Sequence, residues 1–163
     1  MSYQAMNLTP LGMFHTIVSL VAVVSAVVAL AREGQISRKS GIGRIYIWSL
    51  VITCVTGLPI FRHGTIGPPH ILGVLTLAVL AVAAAMGKTQ VFGRVSAYVE
   101  TIGYTVTVFF LSISTVTETL TRLPPSAPVV ASPEAPIFKT LYLGLFILFV
   151  IGAALQVRQR FSR

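Results

Sequence analysis

Five apolar stretches recur along this chain, each long enough, or nearly so, to cross about 30 Å of hydrocarbon at about 1.5 Å of helix rise per residue. They run Leu11–Ala31, Ile45–Phe61, His70–Met86, Ser96–Thr119 and Ile137–Val157. Nothing else in the sequence limits the fold so strongly. Lipid offers no water to backbone N–H and C=O groups, so each stretch is expected to be helical. The second and third are the shortest, at about 17 residues, and should stand nearly upright. Little polypeptide remains outside them, too little for a separate catalytic domain. Composition agrees: of 163 residues, 55% are hydrophobic and only 10% charged, where soluble domains carry about 25% charged. Mean hydropathy is +0.86.

The formal net charge of +8 is topological. Arg32, Arg38, Lys39 and Arg44 lie between the first two stretches, Lys88 and Arg94 between the third and fourth, and Arg158, Arg160 and Arg163 in the tail. Only Arg62, Arg122 and Lys139 fall on the opposite side. Nine against three predicts an amino terminus outside and a carboxyl terminus in the cytoplasm, with the basic residues meeting anionic lipid headgroups. Nucleic-acid binding would need a basic groove or aromatic platforms, and neither is visible. The first stretch competes with a signal-peptide reading, since Ala29-Leu30-Ala31 resembles a cleavage site. No basic residue precedes it and it is too long for such a segment, so it is taken as a first transmembrane helix. The single cysteine, Cys54, is expected to be a small packing residue in mid-span.

Between the second and third stretches, Arg62-His63-Gly64-Thr65-Ile66-Gly67-Pro68-Pro69 reads as a tight turn, with Pro69 in the first turn of the third helix. The second outer loop, Leu120–Pro136, is rich in Pro, Ser and Ala and is expected to lie extended over the surface. The last stretch is aliphatic and aromatic almost all round, which predicts a position at the lipid-facing edge. Gly43-Arg44-Ile45 and Gly93-Arg94-Val95 open the second and fourth stretches. This thin echo suggests two related hairpins forming a four-helix core, with the fifth helix added.

Membrane helices associate through small and polar residues. His15, Ser19, Ala22, Ala26 and Ala29 form such a seam in the first helix, and His70, Gly73, Leu77, Ala81 and Ala84 a poorer one in the third. The fourth is the most polar: Glu100, Tyr104, Thr107, Leu111, Ser114 and Glu118 follow one face. Its two glutamates are about 27 Å apart along the axis. Hydrogen bonding between helices is the plain explanation of this face. A proton or solute pathway is the sharper one.

All three histidines fall at the outer end. His15, His70 and Glu118, with His63 in support, form a candidate set for a divalent metal. His15 and His70 could alternatively serve as axial ligands of haem b. Against both stands the ordinary role of histidines near helix ends, which anchor or hydrogen-bond, and Glu118 is placed to pair with Arg122 one turn later.

The His of the first helix, Gly43-Arg44-Ile45-Tyr46, Gly67-Pro68-Pro69-His70-Ile71-Leu72 and Glu118-Thr119-Leu120-Thr121-Arg122-Leu123-Pro124 together resemble a family of small bacterial membrane proteins catalogued as a domain of unknown function. The likeness covers roughly residues 12–124. That family usually carries a further His four residues before the Gly-Arg pair and another at the start of the fourth helix. Here Lys39 and Ser96-Ala97-Tyr98 stand in those places, which leaves potential ligands at the outer end alone. The resemblance implies fold and membrane location and supplies no reaction.

The expectation is therefore an all-α bacterial inner-membrane protein with five transmembrane helices, four in a core bundle and one peripheral. Two functions from different classes follow. One is a structural or accessory subunit within a larger membrane complex or homo-oligomer, without a cofactor. The other is a metal- or haem-binding redox protein, with transport along the fourth helix as a further alternative.

Overall fold

A computed structural model describes residues 9–60 and 66–161. These form five α-helices, with no strand among the described residues: α1 (Pro10–Glu33), α2 (Gly41–Gly57), α3 (Pro68–Thr89), α4 (Arg94–Arg122) and α5 (Ile137–Phe161). Four of them, all but α2, are long and apolar enough to span a membrane.

Local chemistry sets the helix ends. Thr9 caps α1 by accepting the Gly12 N–H (3.1 Å), and Gly34 closes it in the left-handed region at φ 71°. Ser40 does the same for α2 through Gly43 N–H (3.1 Å). That cap starts α2 four residues before the predicted boundary, and Pro59, which has no N–H to donate back into the helix, stops it four residues early, with Leu58 still in the right-handed helical region (φ −59°, ψ −41°). Its 17 residues span about 25 Å, at the short end of what a crossing needs. The shortness expected of this stretch is thus observed, while four helices rather than five reach membrane-spanning length. α3 departs in the other direction. Pro68 and Pro69 open it as expected, but it runs through Gly87 to Thr89 for 22 residues and is therefore not short.

Adjacent helices form two hairpins, α1 with α2 and α3 with α4; α2 meets α3, α1 touches α4, and α5 packs along α4. In the first hairpin the small face of α1, Ala22, Ala26 and Ala29, is buried as expected. It lets Tyr46 and Leu50 of α2 approach closely. In α3 the buried residues are Thr76, Leu80, Ala83 and Gly87, not Leu77, Ala81 and Ala84. The predicted seam is off by one residue because alanines occur all round this helix, and the partner decides among them. Ala83 sits over Gly103 and Gly87 admits the Glu100 side chain.

The repeated Gly-Arg pair serves two different ends. Gly43 is buried in α2, where the Ser37 backbone leaves no room for a Cβ, whereas Gly93 precedes α4 with open space around it. The loop after α4 is also not extended as expected. Val130 N–H bonds to Leu120 O (2.9 Å) and Val129 N–H to Leu123 O (3.1 Å), folding residues 123–130 back on the end of α4.

Candidate functional site

The most polar part of the interior lies at the basic end of the bundle, where the α1–α2 loop, the last turns of α3 and α5 and the first turns of α4 meet. Arg38 reaches in from the loop. Its Nε lies 2.9 Å from Glu100 Oε1, with the two side chains 32% and 15% exposed, and its Nη2 donates to the Gly87 carbonyl. Gln90 Nε2 donates to the same carbonyl (3.3 Å). Residue 87 is glycine for a direct steric reason: a Cβ there would overlap the Glu100 carboxylate.

Gln156 of α5 completes this end. It is 6% exposed; its Oε1 accepts from Thr105 Oγ1 (2.6 Å), while its Nε2 donates to Gly34 O (3.0 Å). One amide thus holds α5, α4 and the end of α1 together. Ser96, Thr101 and Thr105 of α4 are buried as well. Neither Gln156 nor Gly87 stands out as a site residue in the sequence. Gln156 had one signal, as an amide in an otherwise apolar helix, whereas a glycine shaped for a distant carboxylate has none.

Further along α4 the predicted polar face is real in its central part. Tyr104 and Thr107 are fully buried and Leu111 nearly so. Tyr46 of α2 crosses the bundle to put its hydroxyl 2.9 Å from Thr107 Oγ1, and Thr107 also donates to Tyr104 O (2.7 Å). The Tyr104 hydroxyl is buried with no hydrogen-bond partner among the described residues, within electrostatic reach of Glu100 and Arg38. Ser114 is only half-buried. Thr117 continues the line by pairing with Tyr142 of α5 at 2.6 Å.

The far end carries the predicted histidine and glutamate set. His15 Nδ1 lies 3.1 Å from Thr56 Oγ1, and its ring rests against Gly57. The charges of Glu118 and Arg122 act on it, so His15 and Glu118 do share one end of the molecule. Glu118 forms an ion pair with Arg122. His70 uses its Nδ1 to accept the Gly67 N–H at the start of α3 (3.2 Å), which is helix capping. His63 lies outside the described residues. Among the described residues no group of three or more His, Cys, Asp and Glu side chains is disposed to hold a metal. Of the candidate donors, His70 Nδ1 caps α3, Glu118 pairs with Arg122 and His15 Nδ1 meets Thr56.

Of the basic residues, Arg32, Lys39, Arg44, Lys88, Arg94 and Arg158 are exposed at the end where Arg38 is drawn inward. Arg163 and the side chain of Arg160 lie outside the described residues. Cys54 is buried and free.

Comparison of the chain with protein-family models, with curated proteins and with solved structures finds no match.

Proposed function

We propose that this chain is an integral protein of the bacterial inner membrane, with its basic end in the cytoplasm, and that it acts as a structural or accessory subunit of a larger membrane complex. The observation that carries this reading is an inverted distribution of polarity. Ile17, Val24, Val27 and Trp48 are each at least 60% exposed, while Ser25, Ser49, Thr76, Thr101, Thr105, Thr107 and Gln156 are buried. Water would penalise such an outer surface, which far exceeds the few hundred Å² of apolar patch typical of soluble monomers. Lipid rewards it. The accessory role is supported by what the interior polar groups do. Arg38, Gln156, Tyr46 and Thr117 each join one element to another, so their chemistry is cohesion.

Native electrophoresis and mass spectrometry after extraction in mild detergent test the reading. A reproducible co-migrating partner is expected. A lone monomer from gently solubilised membranes overturns the accessory role, and recovery of the protein from the soluble fraction overturns the membrane location.

A second reading, proton passage along α4, has one observation in its favour. The Tyr104 hydroxyl is buried and, among the described residues, unpartnered one turn from Glu100. Proton flux into vesicles that falls on Glu100→Gln would establish it, and unchanged flux would remove it.

A further inference from the structure

An apolar cleft of about 410 Å³ opens at the surface between α1 and α2. Ile17, Leu20, Val21 and Val24 line it from α1, and Ile42 and Ile45 from the first turns of α2. Its one polar residue, Ser25, directs its hydroxyl to backbone carbonyls of its own helix, Val21 O (2.7 Å) and Ala22 O (3.0 Å). Nothing in the cleft offers a hydrogen bond to an occupant, so the occupant must be hydrocarbon.

The charge that bounds the cleft distinguishes one hydrocarbon from another. Arg32 follows Ser25 by seven residues and Val21 by eleven, whole numbers of turns at 3.6 residues each, so it continues the α1 side of the cleft at the basic end. It is exposed, in the last turn of α1, and takes part in no ion pair or hydrogen bond among the described residues. Lys39 is exposed in the loop that follows. One leaflet of hydrocarbon is about 15 Å deep, or about ten residues of helix. A chain anchored beside Arg32 therefore ends among Val24, Val21 and Leu20.

We infer that the α1–α2 cleft holds one acyl chain of an anionic phospholipid whose phosphate pairs with Arg32. This deepens the proposed membrane location and rests on it. A second copy of the chain fits the cleft less well. Copies that share one membrane orientation and meet across this face would set Arg32 beside Arg32 at the same depth, and like charges in contact oppose association. An anionic headgroup reverses that sign. Neutral lipids fill the cleft equally well with their tails and gain nothing at Arg32.

The test is native mass spectrometry of the delipidated protein in detergent, titrated with phosphatidylglycerol or phosphatidylcholine of identical acyl chains. One cation near a headgroup contributes about 1 kcal/mol, which is about a fivefold preference for the anionic lipid. Arg32→Gln should abolish that preference while leaving neutral-lipid adducts unchanged. Val24→Trp, which fills the cleft, should diminish adducts of both lipids. Arg32 lies on the surface, so its substitution leaves the fold intact even if Val24→Trp does not. Soluble glycerophosphate should not compete. Equal binding of the two lipids, or a preference retained in Arg32→Gln, overturns the proposal, as does a dimer displaced by neither lipid. Failure of the membrane reading is separately visible, as protein that stays in solution without detergent.

Discussion

Arg38 and Glu100 come from different hairpins, sixty-two positions apart in sequence, yet they meet with Nε 2.9 Å from Oε1 over a glycine that leaves room for nothing else. The pair fastens the α1–α2 loop to the α3–α4 hairpin. Removing one partner leaves the other partly buried without its counter-charge, and that asymmetry decides how substitutions there will behave.

Glu100→Gln or Arg38→Met alone should therefore destabilise the bundle by about 1 kcal/mol, the low end of the cost of leaving a buried polar group without its partner, because both side chains are only partly buried. The double variant Arg38→Met with Glu100→Leu should recover most of the loss, because replacing a buried pair by packed apolar groups is often close to neutral. Thermal unfolding in detergent, arranged as a double-mutant cycle, measures this. Additive losses would show that the two side chains act independently.

Gly87→Ala should cost at most about 1 kcal/mol, because the overlapping Glu100 carboxylate ends a flexible side chain that can shift at the expense of its pairing with Arg38. The same substitution in a Glu100→Ala background should cost far less, since the overlapping group is gone and alanine is the better helix former. Unfolding midpoints of the four proteins decide it. An equal loss in both backgrounds would mean that something other than Glu100 excludes the methyl group.

Gln156→Leu removes both hydrogen bonds that tie α5 to Thr105 and to Gly34. At about 0.6 kcal/mol for an average bond between membrane helices, the loss should be near 1 kcal/mol. Its local signature matters more than its size. Limited proteolysis should cut at the α5 end sooner in the variant, and unchanged cleavage would place the anchor of α5 elsewhere, in the aromatic cluster of Phe109, Phe146 and Phe149.

Tyr46→Phe deletes only the hydroxyl that bridges α2 to Thr107. Thr107 keeps its bond to Tyr104 O, so the expected loss is small, about 0.6 to 1.7 kcal/mol. Chemical unfolding in mixed micelles measures it. A larger loss would reveal that the Tyr46 hydroxyl organises more of the interior than this one contact.

Much of this architecture was legible in the sequence wherever residue chemistry differs sharply between helix faces. On α4, Tyr104, Thr107 and Leu111 alternate with apolar neighbours and are buried. On α1, alanines stand opposite bulky Ile17, Leu20 and Val24, and the alanines are inside. On α3 alanines lie on several faces, so periodicity had nothing to choose between and the seam slipped by one residue. Helix ends slipped for a related reason: Ser40 and Pro59 act through the backbone, which hydropathy does not register. The candidate site was legible only in part. Glu100, Tyr104 and Thr107 stood out by chemistry, and Glu118 with Arg122 by their spacing of four. In the sequence Arg38 is indistinguishable from the topological cations around it, because its meeting with Glu100 depends on how two hairpins dock. His70 stands out in the sequence as a ligand candidate, and the two prolines that open α3 place its Nδ1 where it also caps the helix.

The brevity of α2 reaches beyond the molecule itself. In the bilayer proposed for it, about 25 Å of helix on that flank would favour thinner lipid beside it, at a fraction of a kcal/mol for each ångström of difference. A shared dent in the membrane is relieved when two short-sided proteins stand together. Thickness alone would then gather such partners beside Trp48 and steer this chain away from the stiffer, deeper bilayers of a cell.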